Sequence, residues 1–248
     1  ALTVNDGTFG GLLAGATGSL IKATAGTLTL SGANTFGGGT TVNAGTLVLG
    51  NAGSLGAGAV TVASGATLDL NSLIVSNVIT VQTGGTITGG QTTASVPTTG
   101  ATPTVTAVLT GAGGLTKTDA GTLTISTANF HTGATVANVA GAVIRAAHLS
   151  DTSSSLGAST LTDVTKLQLG SGAVLEFTGA TTTTSTRSFT VTDSAGITTA
   201  AGAAGLTFTA AAKIALVGAT PALALVANNS VTNFFRASLS DADIAAGN

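Results

Sequence analysis

GTLTLSGANTFGGGTTVNAGTLVLG, running from Gly26 to Gly50, decides how this chain is read. In Thr27-Leu28-Thr29-Leu30 apolar residues alternate with threonine, so Leu28 and Leu30 share one face of a strand and the threonines the other. Gly37-Gly38-Gly39 and Ala44-Gly45 supply tight corners, and Thr46-Leu47-Val48-Leu49 then repeats the strand. A weaker copy, GTLTISTANFHTGATVANVAGAVI, begins at Gly121. Leu20-Ile21-Lys22 aligns with Leu115-Thr116-Lys117, Gly26 with Gly121, Leu28 with Leu123 and Asn34 with Asn129. The copies span about residues 10–106 and 111–209, and residues 210–248 follow as terminal coils. A repeat of this length, itself built of short strands and glycine turns, points to an array that extends one coil at a time.

Composition narrows the class further. Charged residues are 6% of the 248, Thr is about a fifth, Gly numbers 36, and Cys, Met, Trp and Tyr are absent. Strong helix formers are scarce while Thr, Val, Ile and Leu alternate, so the chain reads as all-β. The mean hydropathy of +0.55 comes from Ala and short strands. No apolar run approaches the roughly 18 residues of a spanning helix, and membrane insertion is not expected. A net charge of −2 with seven scattered basic residues argues against nucleic acid. Without cysteine there is no disulfide framework and no thiolate metal site.

Strand centres recurring every 7 to 13 residues or so suit a sandwich or a solenoid. A sandwich expects Asn-Gly or Asp-Gly hairpins and large aromatic core residues, of which this chain has few. Small repetitive interiors suit stacked coils instead, with Leu28, Leu30, Leu47, Leu49, Val60, Val62, Leu123, Ile125, Leu167 and Leu169 inside. With three strands and about 22 residues per coil, some eleven coils make a rod on the order of 50 Å long. The polar stretch Gly89 to Pro103 reads as the connector between copies, within one continuous solenoid over residues 1–248.

The run Leu20-Ile21-Lys22, Gly26-Thr27-Leu28-Thr29-Leu30, Asn34, Phe36, Gly38, Thr40, Val42, Gly45, Leu47 closely resembles the autotransporter-associated β-strand repeat, also called the passenger-associated transport repeat. Gly113 to Ile125 matches the beginning of that motif, and the second copy departs from it after Asn129. The resemblance implies a right-handed parallel β-helix in a large secreted or surface-exposed bacterial protein with an adhesive or structural role. It implies no catalytic residues, and none is assigned; no cofactor is expected.

Each residue singled out has a functional reading and a plainer one. Lys22 and Lys117 read as coil caps bonding carbonyls or a carboxylate such as Asp119. Asn34 and Asn129 read as bend residues tolerating left-handed φ, or as an asparagine ladder. His131 and His148, with no metal-ligand spacing, read as solvent-facing turn residues. The dispersed acids Asp6, Asp69, Asp119, Asp151, Asp163, Glu176 and Asp193 form no glycosidase pair in sequence, although coils can stack distant positions. Thr27-x-Thr29, Thr122-x-Thr124 and Thr190-x-Thr192 have the local form of ice-binding rows but do not recur in every coil.

The functional expectation is a non-enzymatic extracellular structural protein, a fibre subunit or surface-stalk segment. An adhesin passenger binding a glycan or a protein is the main rival, and a polysaccharide-degrading enzyme a weaker one. The insertions at His148 to Ser155 and Ala180 to Thr186 are the loops an adhesin would use. Head-to-tail self-association is expected through unpaired strand edges, with Leu2, Val4, Phe234, Phe235 and Ile244 as the residues of the two ends.

Overall fold

A strand with one apolar and one polar face must bury the apolar side, and a chain of such strands with glycine corners does so by winding. The computed structural model describes residues 1–92, 96–98, 102–151, 154–158, 163–228, 230–236 and 238–240. It is a β-solenoid of about ten turns, all strand and without helix among those residues. Every ladder between its named strands is parallel, and each joins a strand to the one directly above it in the next coil.

Two faces carry most of the ladder. On the first, Leu2–Val4, Leu20–Lys22, Thr40–Val42, Val60–Val62 and Ile79–Val81 stack in order, with Leu20 opposite Thr40 and Thr40 opposite Val60. Twenty residues therefore make a coil there. On the second, Gly7–Phe9, Thr27–Leu30, Thr46–Leu49, Thr67–Asp69 and Thr86–Thr88 stack beside them. Farther along, Phe189–Thr199 and Lys213–Ala227 each run through both faces without a break. The turn between faces shrinks there to an irregularity between Thr192 and Ser194, with Asp193 at φ 61°.

The third side departs from the expectation of three strands per coil. It is a strand at Ile74–Val75, Gln91–Thr92 and Val108–Leu109, and again at Thr183–Ser185, Leu206–Phe208 and Phe234–Phe235. Elsewhere the described residues form bends held by side chains. The stretch Gly89 to Pro103, expected as the connector between copies, is described only in part. Its described residues include Val96–Thr98, which pairs fully with Leu115–Lys117 but with Ile79–Val81 only at Val81 and Thr98. Pro97 has no N–H to give, and the ladder narrows around it.

The ten interior residues expected from the alternation are all buried. One column shows how the core is built. Leu28, Leu47, Leu68, Ile87, Val105, Ile125, Ala146 and Phe177 lie above one another in register, each at most 1% exposed. Gly45 sits at a corner with φ +67°, and a Cβ there would press into the carbonyl oxygen of Gly26 in the coil beneath. Glycine is required at that point both for its backbone and for the closeness of the coils.

Candidate functional site

The two buried lysines lie where the first two faces meet. Lys22 and Lys117 point inward at the end of their strands, in one column with Val42, Val62, Val81 and Thr98. Both are buried. The stem packs as an apolar residue would and the ammonium turns to the corner. Lys22 Nζ donates to Asp6 Oδ1 at 3.1 Å, to Thr24 Oγ1 at 3.3 Å and to the Thr24 carbonyl. Lys117 Nζ donates to Asp119 Oδ1 and, at 3.2 Å, to the Ala120 carbonyl. The coil-cap reading holds, with burial as the unforeseen part. The Thr24 hydroxyl, and then Lys22, hold the exposed Asp6 carboxyl below its ordinary range.

Asn34 and Asn129 tie coils together on the third side. Asn34 Oδ1 accepts from the Leu13 N–H at 2.8 Å in the coil below, and Nδ2 donates to the Ser54 carbonyl at 2.7 Å in the coil above. Asn129 does the same with the Leu109 N–H at 2.9 Å and the Ser155 carbonyl at 2.6 Å. Neither adopts a positive φ, so the left-handed expectation is corrected: each is buried and bridges three coils through its side chain. Asn233 makes the same downward contact, Leu206 N–H to Oδ1 at 2.8 Å.

His131 is also corrected. It is 1% exposed, whereas its neighbour Phe130 is 55% exposed. Two residues beyond the bridging asparagine the bend turns inward, and that position in the first copy is the buried Phe36. His131 Nε2 lies 3.1 Å from Thr135 Oγ1, and burial first, then the Arg187 charge, pushes its pKa down to about 4. Arg187, which the sequence reading passed over, is buried above it and donates from Nη2 to Ser154 Oγ at 2.9 Å and to the Gly157 carbonyl at 2.6 Å. His148 is exposed, as expected.

The acids stay apart. Glu176 pairs with Arg145 across adjacent coils, Asp151 caps Thr186, and Asp163 bonds Thr165. Among the described residues no three His, Asp or Glu side chains converge as a metal site would require. Thr183–Ser185, within the second expected loop, is a strand with Thr183 and Ser185 buried. Register also reveals what local spacing hid: Thr27, Thr46, Thr67, Thr86, Thr104 and Thr124 form one unbroken outward column.

Of the end residues, Leu2 is exposed and Val4 half-buried on a strand that pairs with Leu20–Lys22. Phe235 packs on Phe208, ring centres 5.5 Å apart, and Phe208 on Phe189 at 5.8 Å. Phe234 stands opposite Thr207 in the ladder. Ile244 lies outside the described residues.

Residues 20–49 and 115–143 match the family model described as Passenger-associated-transport-repeat. Over those two segments the chain is similar to the passenger-associated transport repeat. Their bounds enclose the buried lysine and the bridging asparagine of each copy, so each match spans two strand pairs, one from each of two successive coils, and the asparagine bend between them. No curated protein and no solved structure matches the chain. Passenger repeats wound into a solenoid fit a structural domain of the autotransporter-passenger type.

Proposed function

We propose that this chain is a non-catalytic scaffold segment of a secreted or surface-exposed bacterial protein, a stalk or fibre element built from stacked coils. The observation that carries the reading is the in-register parallel ladder from Leu2 to Ser240, in which the buried Lys22, Asn34, Asn129 and Arg187 side chains bind coil to coil. Polar groups used in this way are not available for reaction. The outward faces carry threonine columns and the described ionisable groups are dispersed, which supports a surface made for solvation.

In this reading the rod also associates head to tail, one solenoid edge adding strands to another. Electron microscopy of the purified protein should show rods or filaments, and light scattering should show assemblies that Val4→Pro abolishes. Monomers alone at high concentration would overturn the assembly. Specific, saturable binding on a glycan array, or cleavage of a polysaccharide, would overturn the scaffold reading in favour of an adhesin or an enzyme.

A further inference from the structure

The two repeats place different chemistry at two equivalent positions. In the first copy Phe36 lies two residues after the bridging Asn34, and a Cβ on Gly56 in the next coil would come within 2.9 Å of its ring. In the second copy His131 follows Asn129 by two, and a Cβ on Gly157 would come within 2.6 Å of Nε2. Thr40 Oγ1 donates to the Leu55 carbonyl at 3.2 Å, and Thr135 Oγ1 to the Leu156 carbonyl at 3.1 Å. One coil higher, Asn77 Nδ2 donates to the Gly56 carbonyl at 3.0 Å, and Arg187 Nη2 to the Gly157 carbonyl at 2.6 Å. Phe36 and Asn77 are neutral at any pH; their counterparts are a titratable ring and a fixed cation.

The protonation of the ring follows from its partner. The Thr135 hydroxyl has one proton and gives it to the Leu156 carbonyl, so its oxygen accepts from His131 Nε2–H. Nδ1 is therefore the unprotonated nitrogen, and it is buried with no hydrogen-bond partner. Arg187 Nε and Nη1 are likewise buried and unpartnered. The ionisable groups nearest the cluster do not neutralise it. Asp151 attracts Arg187 from the surface while accepting from the Thr186 N–H and hydroxyl, His148 is exposed, and Asp163 and Lys166 face each other at 3.9 Å.

We propose that His131 and Arg187 form an acid-sensitive latch: a proton taken up at His131 Nδ1 places a second cation beside the buried Arg187 inside the second repeat and opens the coils carrying residues 129–131, 154–157 and 185–187. The unfolded imidazole takes its proton near pH 6.5, the buried one only near 4. The stability gained by excluding that proton is fully present above 6.5 and is lost as pH falls through that window. The latch stands on the geometry of the second repeat alone and holds whether or not the rod assembles.

Urea unfolding of the full chain at pH 7.5 and 4.5 tests it, comparing wild type with His131→Phe, the residue of the first copy. The folding equilibrium of wild type should fall by roughly 70-fold more than that of the variant, on a folded value of about 4. Equal losses in the two proteins would overturn the latch. Should His131→Phe not fold, His148→Gln leaves His131 as the single histidine for NMR. Its ring signal should stay neutral to about pH 4, or vanish with cooperative opening between 6.5 and 4. A folded protein whose His131 titrates near pH 6.5 would overturn the latch as well.

Discussion

Asn129 does with one amide what a strand does with several residues, joining the coil below to the coil above. Replacing it by alanine strands the Leu109 N–H and the Ser155 carbonyl in the interior. Asn129→Ala should therefore cost roughly 3 kcal/mol in urea unfolding, and Asn34→Ala a similar amount through Leu13 and Ser54. A loss below about 1 kcal/mol would mean the amide faces water in both states. That these asparagines are structural was legible in the sequence; how they act was not, because the partners lie some twenty residues away in either direction. His131 misled for a related reason. Hydropathy sends Phe130 inward and His131 outward, but the bend after the asparagine fixes direction first. The alignment of Phe36 with His131 was the available signal.

At the scale of one coil, glycines differ in what they must satisfy. Gly45 and Gly65 both have positive φ, 67° and 72°. A Cβ on Gly45 would drive into the backbone of Ala25 and Gly26, whereas one on Gly65 meets nothing within 4 Å. Gly65→Ala should then cost only the backbone conformation, about 1–2 kcal/mol. Gly45→Ala should cost at least about 3 kcal/mol, since neither coil can retreat without breaking its ladder. Thermal or urea denaturation of the pair decides it, and equal losses would contradict the close stacking. The strands themselves were readable from alternation, and so was the interior. The third side was not, because its backbone is held in many coils by asparagine, serine and threonine side chains whose periodicity is neither 2 nor 3.6. Ala180 to Thr186 looked like a loop for its polarity, yet Thr183 and Ser185 point inward on a strand.

Across the whole molecule, distance along the rod should follow coil number and ignore chain separation, as in other quasi-one-dimensional folds. The repeat announced this in the sequence, but the six-threonine column appears only once register is known. Because the chain has no cysteine, that column can carry spin labels at chosen coils without background. Register continues upward from Thr124 through Arg145 and Glu176 to Thr198. Labels at Thr27 and Thr124 are five coils apart and should lie about 24 Å from each other; labels at Thr27 and Thr198, eight coils apart, should lie about 38 Å apart. The decisive measurement is this pair of distances by pulsed electron paramagnetic resonance. A rise of roughly 4.8 Å per coil supports the stacked-coil scaffold; a Thr27–Thr198 distance equal to or shorter than Thr27–Thr124 would contradict it.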